Sequence, residues 1–90
     1  MSHSIMPDNP PFWRNERFGG SEEHHVFPGA NRRLSDEDGL VIYLTPQQHR
    51  DMHSNQTDYW GYAKREAQKA FERTHGTRSD FVARYGRNYL

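Results

Sequence analysis

Ninety residues with twelve basic and twelve acidic side chains, 32% hydrophobic and 27% charged, make one small domain with modest apolar material to bury. The absence of cysteine excludes disulfides and thiolate metal sites, and it leaves the redox compartment unread. No apolar run approaches the ~20 residues of a membrane span, and the first residues lack a basic-then-apolar leader, so a cytoplasmic protein with no membrane partner is expected.

Residues 1–17 hold three prolines and no sustained period, and they read as an extended or disordered arm ahead of a single domain over 18–90. Phe12 and Trp13 are candidates for docking on the core, because two large aromatics are costly to leave in water. Gly19-Gly20 punctuates the chain. Glu22 to Phe27 is a short extended segment closed by the turn signal Pro28-Gly29. Residues 29–39 read as a polar loop. Leu40-Val41-Ile42-Tyr43-Leu44 is the best strand, five apolar residues in a row. Thr45-Pro46-Gln47-Gln48 opens a helix, with Thr45 as N-cap, Pro46 at the first position and Gln48 completing a capping box. That helix is expected to end near Ser54-Asn55. A second runs from Asp58 to His75, with Trp60, Ala63, Ala67, Ala70 and Phe71 at 3–4 spacing and Gly76 as its stop. A third, short helix starts at Thr77, has Asp80 three residues on, buries Phe81, Val82 and Tyr85, and ends at Gly86. The fold class that follows is α+β: strand, loop, strand, helix, then two more helices.

The zero net charge hides an asymmetry. Residues 1–59 carry five Lys/Arg against nine Asp/Glu, a net of −4; residues 60–90 carry seven against three, a net of +4. A basic C-terminal half can contact phosphates, and it can equally be a set of solvated helix faces.

The histidines carry the chemistry. His24 and His25 are adjacent in the first strand, where neighbouring side chains point to opposite faces. His49 and His53 are four apart on a helix, so their Cβ atoms lie about 5–6 Å apart on one face. One histidine of the first pair plus both helical histidines gives three neutral ligands, with positions open for water and substrate. The other histidine, with an ordinary pKa near 6.5, is left as a base. Such a site hydrolyses, and a phosphodiester suits it. An incidental helical pair and a structural zinc site using all four imidazoles are the alternatives; the divergence of strand neighbours disfavours the second. Three nitrogens and no carboxylate favour zinc, nickel or manganese over magnesium.

The stretch Glu22-Glu23-His24-His25, with Thr45-Pro46-Gln47-Gln48-His49-Arg50-Asp51-Met52-His53 after it, resembles the ββα-metal motif of HNH endonucleases, including that of the nuclease colicins. The wider run His-His-Val-Phe-Pro-Gly-Ala-Asn-Arg-Arg-Leu-Ser, Gly-Leu-Val-Ile-Tyr-Leu, Ala-Phe-Glu-Arg-Thr-His-Gly and Arg-Asn-Tyr-Leu is similar to small HNH-like proteins of phages and prophages. It covers roughly residues 22–90.

The resemblance implies an HNH-like ββα-metal hairpin and helix with a C-terminal helical extension, in the cytoplasm of a bacterial host. It implies a metal-dependent endonuclease or nickase acting on DNA and leaving 5′-phosphate and 3′-hydroxyl ends. His24, His49 and His53 match the ligands of one divalent ion (zinc, nickel, manganese or magnesium), and His25 matches the general base. Glu22 falls where an acidic residue orients a histidine or an arginine. Arg50 is a candidate phosphate clamp, Arg17 a weaker one, and Arg32 and Arg33 can meet a DNA backbone. The middle asparagine of HNH is expected where this chain has Gly39-Leu40, with Asp38 or Asn31 as substitutes. Cysteine pairs common in the phage relatives are absent, Thr45 standing where one is expected, so bracing falls to Phe12, Trp13 and Trp60. A homodimer would let one small domain cut both strands. The alternative is a non-catalytic accessory or inhibitor protein that uses the same scaffold to bind nucleic acid or a host nuclease.

Overall fold

The longest apolar run forms the centre of the structure. In the computed structural model, which describes residues 4–10, 12–54 and 58–90, Leu40 is fully buried and leads into strand β2, Val41–Leu44, whose four residues are all buried. β2 pairs antiparallel with β1, Glu22–His25, in the register Glu22 to Leu44, Glu23 to Tyr43, His24 to Ile42 and His25 to Val41. Four helices complete an α+β chain: α1 (Arg32–Asp38), α2 (Pro46–His53), α3 (Tyr59–Thr74) and α4 (Arg78–Tyr85), with a 3-10 turn at Gly29–Asn31. No helix of the described residues is long and apolar enough to cross a membrane.

β2 is covered on its second edge by the N-terminal segment. Arg14 and Tyr43 exchange backbone hydrogen bonds at 3.0 and 2.9 Å, and the Ile5 N–H donates to the Gly39 carbonyl at 2.8 Å. Trp13 is completely buried, donates its indole N–H to the Pro7 carbonyl at 2.7 Å, and packs on Tyr59 and Tyr62. Met6 is buried as well. Phe12 takes edge contacts to the same two tyrosines but stays 41% exposed.

Two segments differ from the sequence reading. The expected strand Glu22 to Phe27 stops at His25: the Val26 N–H still meets the Leu40 carbonyl in the same register, but the Phe27 N–H leaves the ladder for Ser35 Oγ, and the Val26 and Phe27 side chains join the core. The expected loop over 29–39 holds α1. Its inward face is Leu34 and Asp38, partly buried, and Ser35, buried, so no 3–4 apolar repeat announces it. Ser35 Oγ stands in for an apolar contact, donating to the Leu40 carbonyl at 2.6 Å and accepting from the Phe27 N–H at 3.3 Å. Gly39 closes α1 at φ 76°, the left-handed conformation that glycine adopts without strain.

The capping signals form as their residues dictate. Thr45 Oγ1 accepts from the Gln48 N–H at 3.1 Å while Gln48 Oε1 accepts from the Thr45 N–H at 2.9 Å, which starts α2 at Pro46. The same reciprocal pair joins Thr77 and Asp80 at α4. α2 ends at His53 with Ser54 as its cap, and Asn55 lies outside the described residues. Helices α3 and α4 cover the core through Ala63, Ala67, Ala70, Phe71, Phe81 and Tyr85. Tyr85 Oη and Arg84 Nε both donate to Asp38 at 2.6 Å, tying α4 to the end of α1.

Candidate metal centre

Strand alternation divides the histidine pair. Glu22 and His24 lie on one face of β1, and Glu23 and His25 on the other. The buried Met52 anchors α2 on the side of His24. This brings one nitrogen from each of His24, His49 and His53 to within 4.8 Å of the others. The ring centroids are 5.1 Å apart for His24 and His49, 5.8 Å for His24 and His53, and 4.8 Å for His49 and His53. Trp60, at the start of α3, sits edge-on to both His24 and His53, with centroids at 4.8 Å in each case.

A divalent ion fits these residues. His24 is 8% exposed, and its Nε2 is buried with no hydrogen-bond partner among the described residues. An orphaned buried nitrogen costs about 1–3 kcal/mol, which a bound ion would offset. Burial first, then the positive fields of His49, His53 and His25, pull the His24 pKa from 6.5 to about 4, so the imidazole is neutral at pH 7 and its lone pair is available. Glu22 Oε1 lies 3.0 Å from His49 Nδ1. A proton on Nδ1 donated to that carboxylate fixes the tautomer and leaves the Nε2 lone pair free to ligate. Of the two partners expected for Glu22, the histidine is the one it meets.

His25 belongs to a different group. Its Nε2 is 3.3 Å from Asp36 Oδ1 and 3.9 Å from Glu23 Oε1, and its side chain is 12% exposed in a groove that Arg32, Arg33 and the Gly29–Asn31 turn also line. Glu23 is held in turn by the Tyr43 hydroxyl at 3.1 Å and by Arg17 at 3.3 Å. Arg17 is therefore occupied by a carboxylate and by the Tyr43 ring, 5.1 Å away. Arg50 lines the pocket of Glu22, Pro46, His49 and His53, where its guanidinium donates to Gln47 Oε1 at 2.9 Å. Arg33 pairs with Glu37.

Two site residues escape a reading of the sequence. Asp36 is the carboxylate against His25, whereas Asp38 is committed to Arg84 and Tyr85 and the Asn31 amide donates to the Tyr85 carbonyl. Trp60 packs against the core as its helical spacing predicts, and it is also the wall of the three-imidazole cluster, which the spacing does not show.

The low pKa of His24 has a stability consequence in the metal-free protein. The unfolded chain takes up the proton near pH 6.5 and the folded chain only near pH 4. Stability is therefore full above pH 6.5 and falls as the pH drops toward 4, by about 3 kcal/mol over the window. Urea unfolding of chelator-treated protein at several pH values in this range checks it. The native chain should lose about that much more than His24→Gln, and equal losses would show that His24 burial is not the cause.

Compared with known proteins, the chain matches no family model, no curated protein and no solved structure. The class that fold and site define is an α+β domain with a three-imidazole cluster on one face of a hairpin and a histidine–carboxylate group on the other.

Proposed function

We propose that this chain is a metal-dependent endonuclease or nickase of the HNH type that hydrolyses DNA phosphodiester bonds. The observation that carries the reading is the meeting of His24, His49 and His53, with a buried, partnerless Nε2 on His24. Support also comes from the order β1, β2, α2, which is that of a ββα-metal unit, and from the division of His24 and His25 between two faces of one strand.

His24, His49 and His53 would hold one divalent ion. When bound, it supplies a Lewis acid that stabilises charge on the scissile phosphate and on the departing oxygen. Zinc, nickel or manganese suits three neutral nitrogens, and magnesium is the harder alternative. The remaining work is done by the chain. His25 donates a proton on Nε2 to Asp36, which leaves the Nδ1 lone pair to take a proton from the attacking water. Glu22 keeps His49 in its ligating tautomer. Arg50, on the rim of the histidine pocket, presents a guanidinium to the phosphate.

One observation favours a second reading. His25 groups with Glu23 and Asp36 and not with the three imidazoles. A scaffold that binds nucleic acid or a host nuclease without cutting has no need of a base at the metal. Supercoiled plasmid incubated with the pure protein in zinc, nickel, manganese or magnesium separates the two. The enzyme nicks in at least one ion, stops on chelation, and is inactive in every ion as His49→Ala. DNA binding without nicking in any ion selects the binding module and ends the enzyme reading.

A further inference from the structure

Most cations of this protein are neutralised where they stand. On α3, Arg65 is paired with Asp58 and Lys69 with Glu66; on α4, Arg78 is paired with Glu72 and Arg84 with Glu37 and Asp38. Among the described residues of α3, α4 and the tail after them, no ion pair joins Lys64, Arg73 or Arg87 to a carboxylate, and of these Lys64 and Arg87 lie together. They converge on one ring: Lys64 Nζ lies 5.7 Å and the Arg87 guanidinium carbon 4.8 Å from the Tyr89 centroid. Lys64 also lies 5.3 Å from the Trp60 centroid, and Trp60 touches His24 and His53. A continuous line of contacts thus runs from the imidazole cluster over Trp60 to Lys64, Tyr89 and Arg87.

We propose that this line is a phosphate path, along which a nucleic-acid strand leaving the histidine site sets its backbone against Lys64 and Arg87. The direction of the path rests on the reading of the histidine site as a phosphodiester site. Three features support it. Two like charges drawn to one ring with no carboxylate between them repel each other, and a polyanion relieves that repulsion. Burial, and after it the Arg87 charge, hold Lys64 below the ordinary lysine pKa, as a cation short of a counter-charge is held. The Trp60 and Tyr89 rings are already covered by cations, so they serve as seats for charge and leave little room for stacked bases. Contact is therefore with phosphate, and it does not read sequence.

The test is fluorescence anisotropy of a labelled DNA duplex of mixed sequence across a salt series. The full chain carries His25→Ala, and a gel checks that the duplex stays intact. Each lost phosphate contact lowers the slope of log affinity against log salt by about 0.9 and weakens binding on the order of eightfold near 0.1 M salt. Lys64→Met and Arg87→Met should each show that loss, and Lys64→Arg should restore the slope if the charge and not the packing matters. Arg73→Met should leave the slope unchanged, since Arg73 lies nine residues from Lys64 on α3, about two and a half turns, on the opposite side of the helix. The path is overturned if Lys64→Met and Arg87→Met keep the native slope, or if Arg73→Met loses as much as they do. Cleavage is not the readout, so a chain that shows these slopes and never nicks loses the nuclease reading alone.

Discussion

Trp13→Ala should remove about 3–5 kcal/mol of stability, the usual cost of emptying a fully buried tryptophan site. A domain of this size has roughly 5–15 kcal/mol in all, so the variant should melt about 12–40 °C lower, at about 4–8 °C per kcal/mol. The site has no easy way to collapse. Trp13 is pinned on one side by its indole hydrogen bond to Pro7 and on the other by Tyr59 and Tyr62 of α3. Its backbone neighbour Arg14 is paired with the central strand, so removing the ring also loosens the cover on β2. Phe12→Ala is the control. That ring touches the same tyrosines but is 41% exposed, and its loss should cost about 1 kcal/mol or less. Denaturant melts of the two variants decide the matter; equal effects would mean that the N-terminal segment is not part of the core.

That segment marks the boundary of what the residues alone reveal. Three prolines and no period do not say whether the segment is packed, because packing depends on a strand edge about 30 residues further on. β2 was legible as an unbroken apolar run, and the capping boxes at Thr45 and Thr77 and the stop at Gly86 as local signals whose partners lie within four residues. α1 was not. It has seven residues, and its inward face is one leucine beside a serine and an aspartate, so it carries neither length nor apolar periodicity. Missing α1 hid Asp36, whose partner His25 is eleven residues away and meets it only once α1 packs on the hairpin.

The three-imidazole cluster was legible because two short-range rules, helical i, i+4 spacing and strand alternation, jointly place its parts. What those rules could not decide is which of His24 and His25 faces α2. The β1–β2 register settles that by setting His24 opposite Ile42 and His25 opposite Val41. Trp60 at the cluster wall and the unpaired Lys64 and Arg87 beyond it are likewise products of tertiary packing, invisible in spacing.

The proposed nuclease puts its base and its ligands on opposite faces of β1, which makes the two histidine positions separable by experiment. His25→Ala should slow DNA cleavage by about 10²–10⁴-fold, the usual contribution of a positioned base, while the protein still takes up one equivalent of zinc. His49→Ala should lose both cleavage and tight zinc uptake, since it removes one of the three proposed ligands. Asp36→Asn should fall between native and His25→Ala in rate without altering zinc uptake, because Asp36 acts only by holding the imidazole. The pairing of readouts matters more than either alone. A merely structural role for His25 would lower stability and metal uptake along with rate. A misplaced assignment would leave His25→Ala cutting as fast as the native chain, and then the proton acceptor must be sought on the Glu22–His49 side of the hairpin.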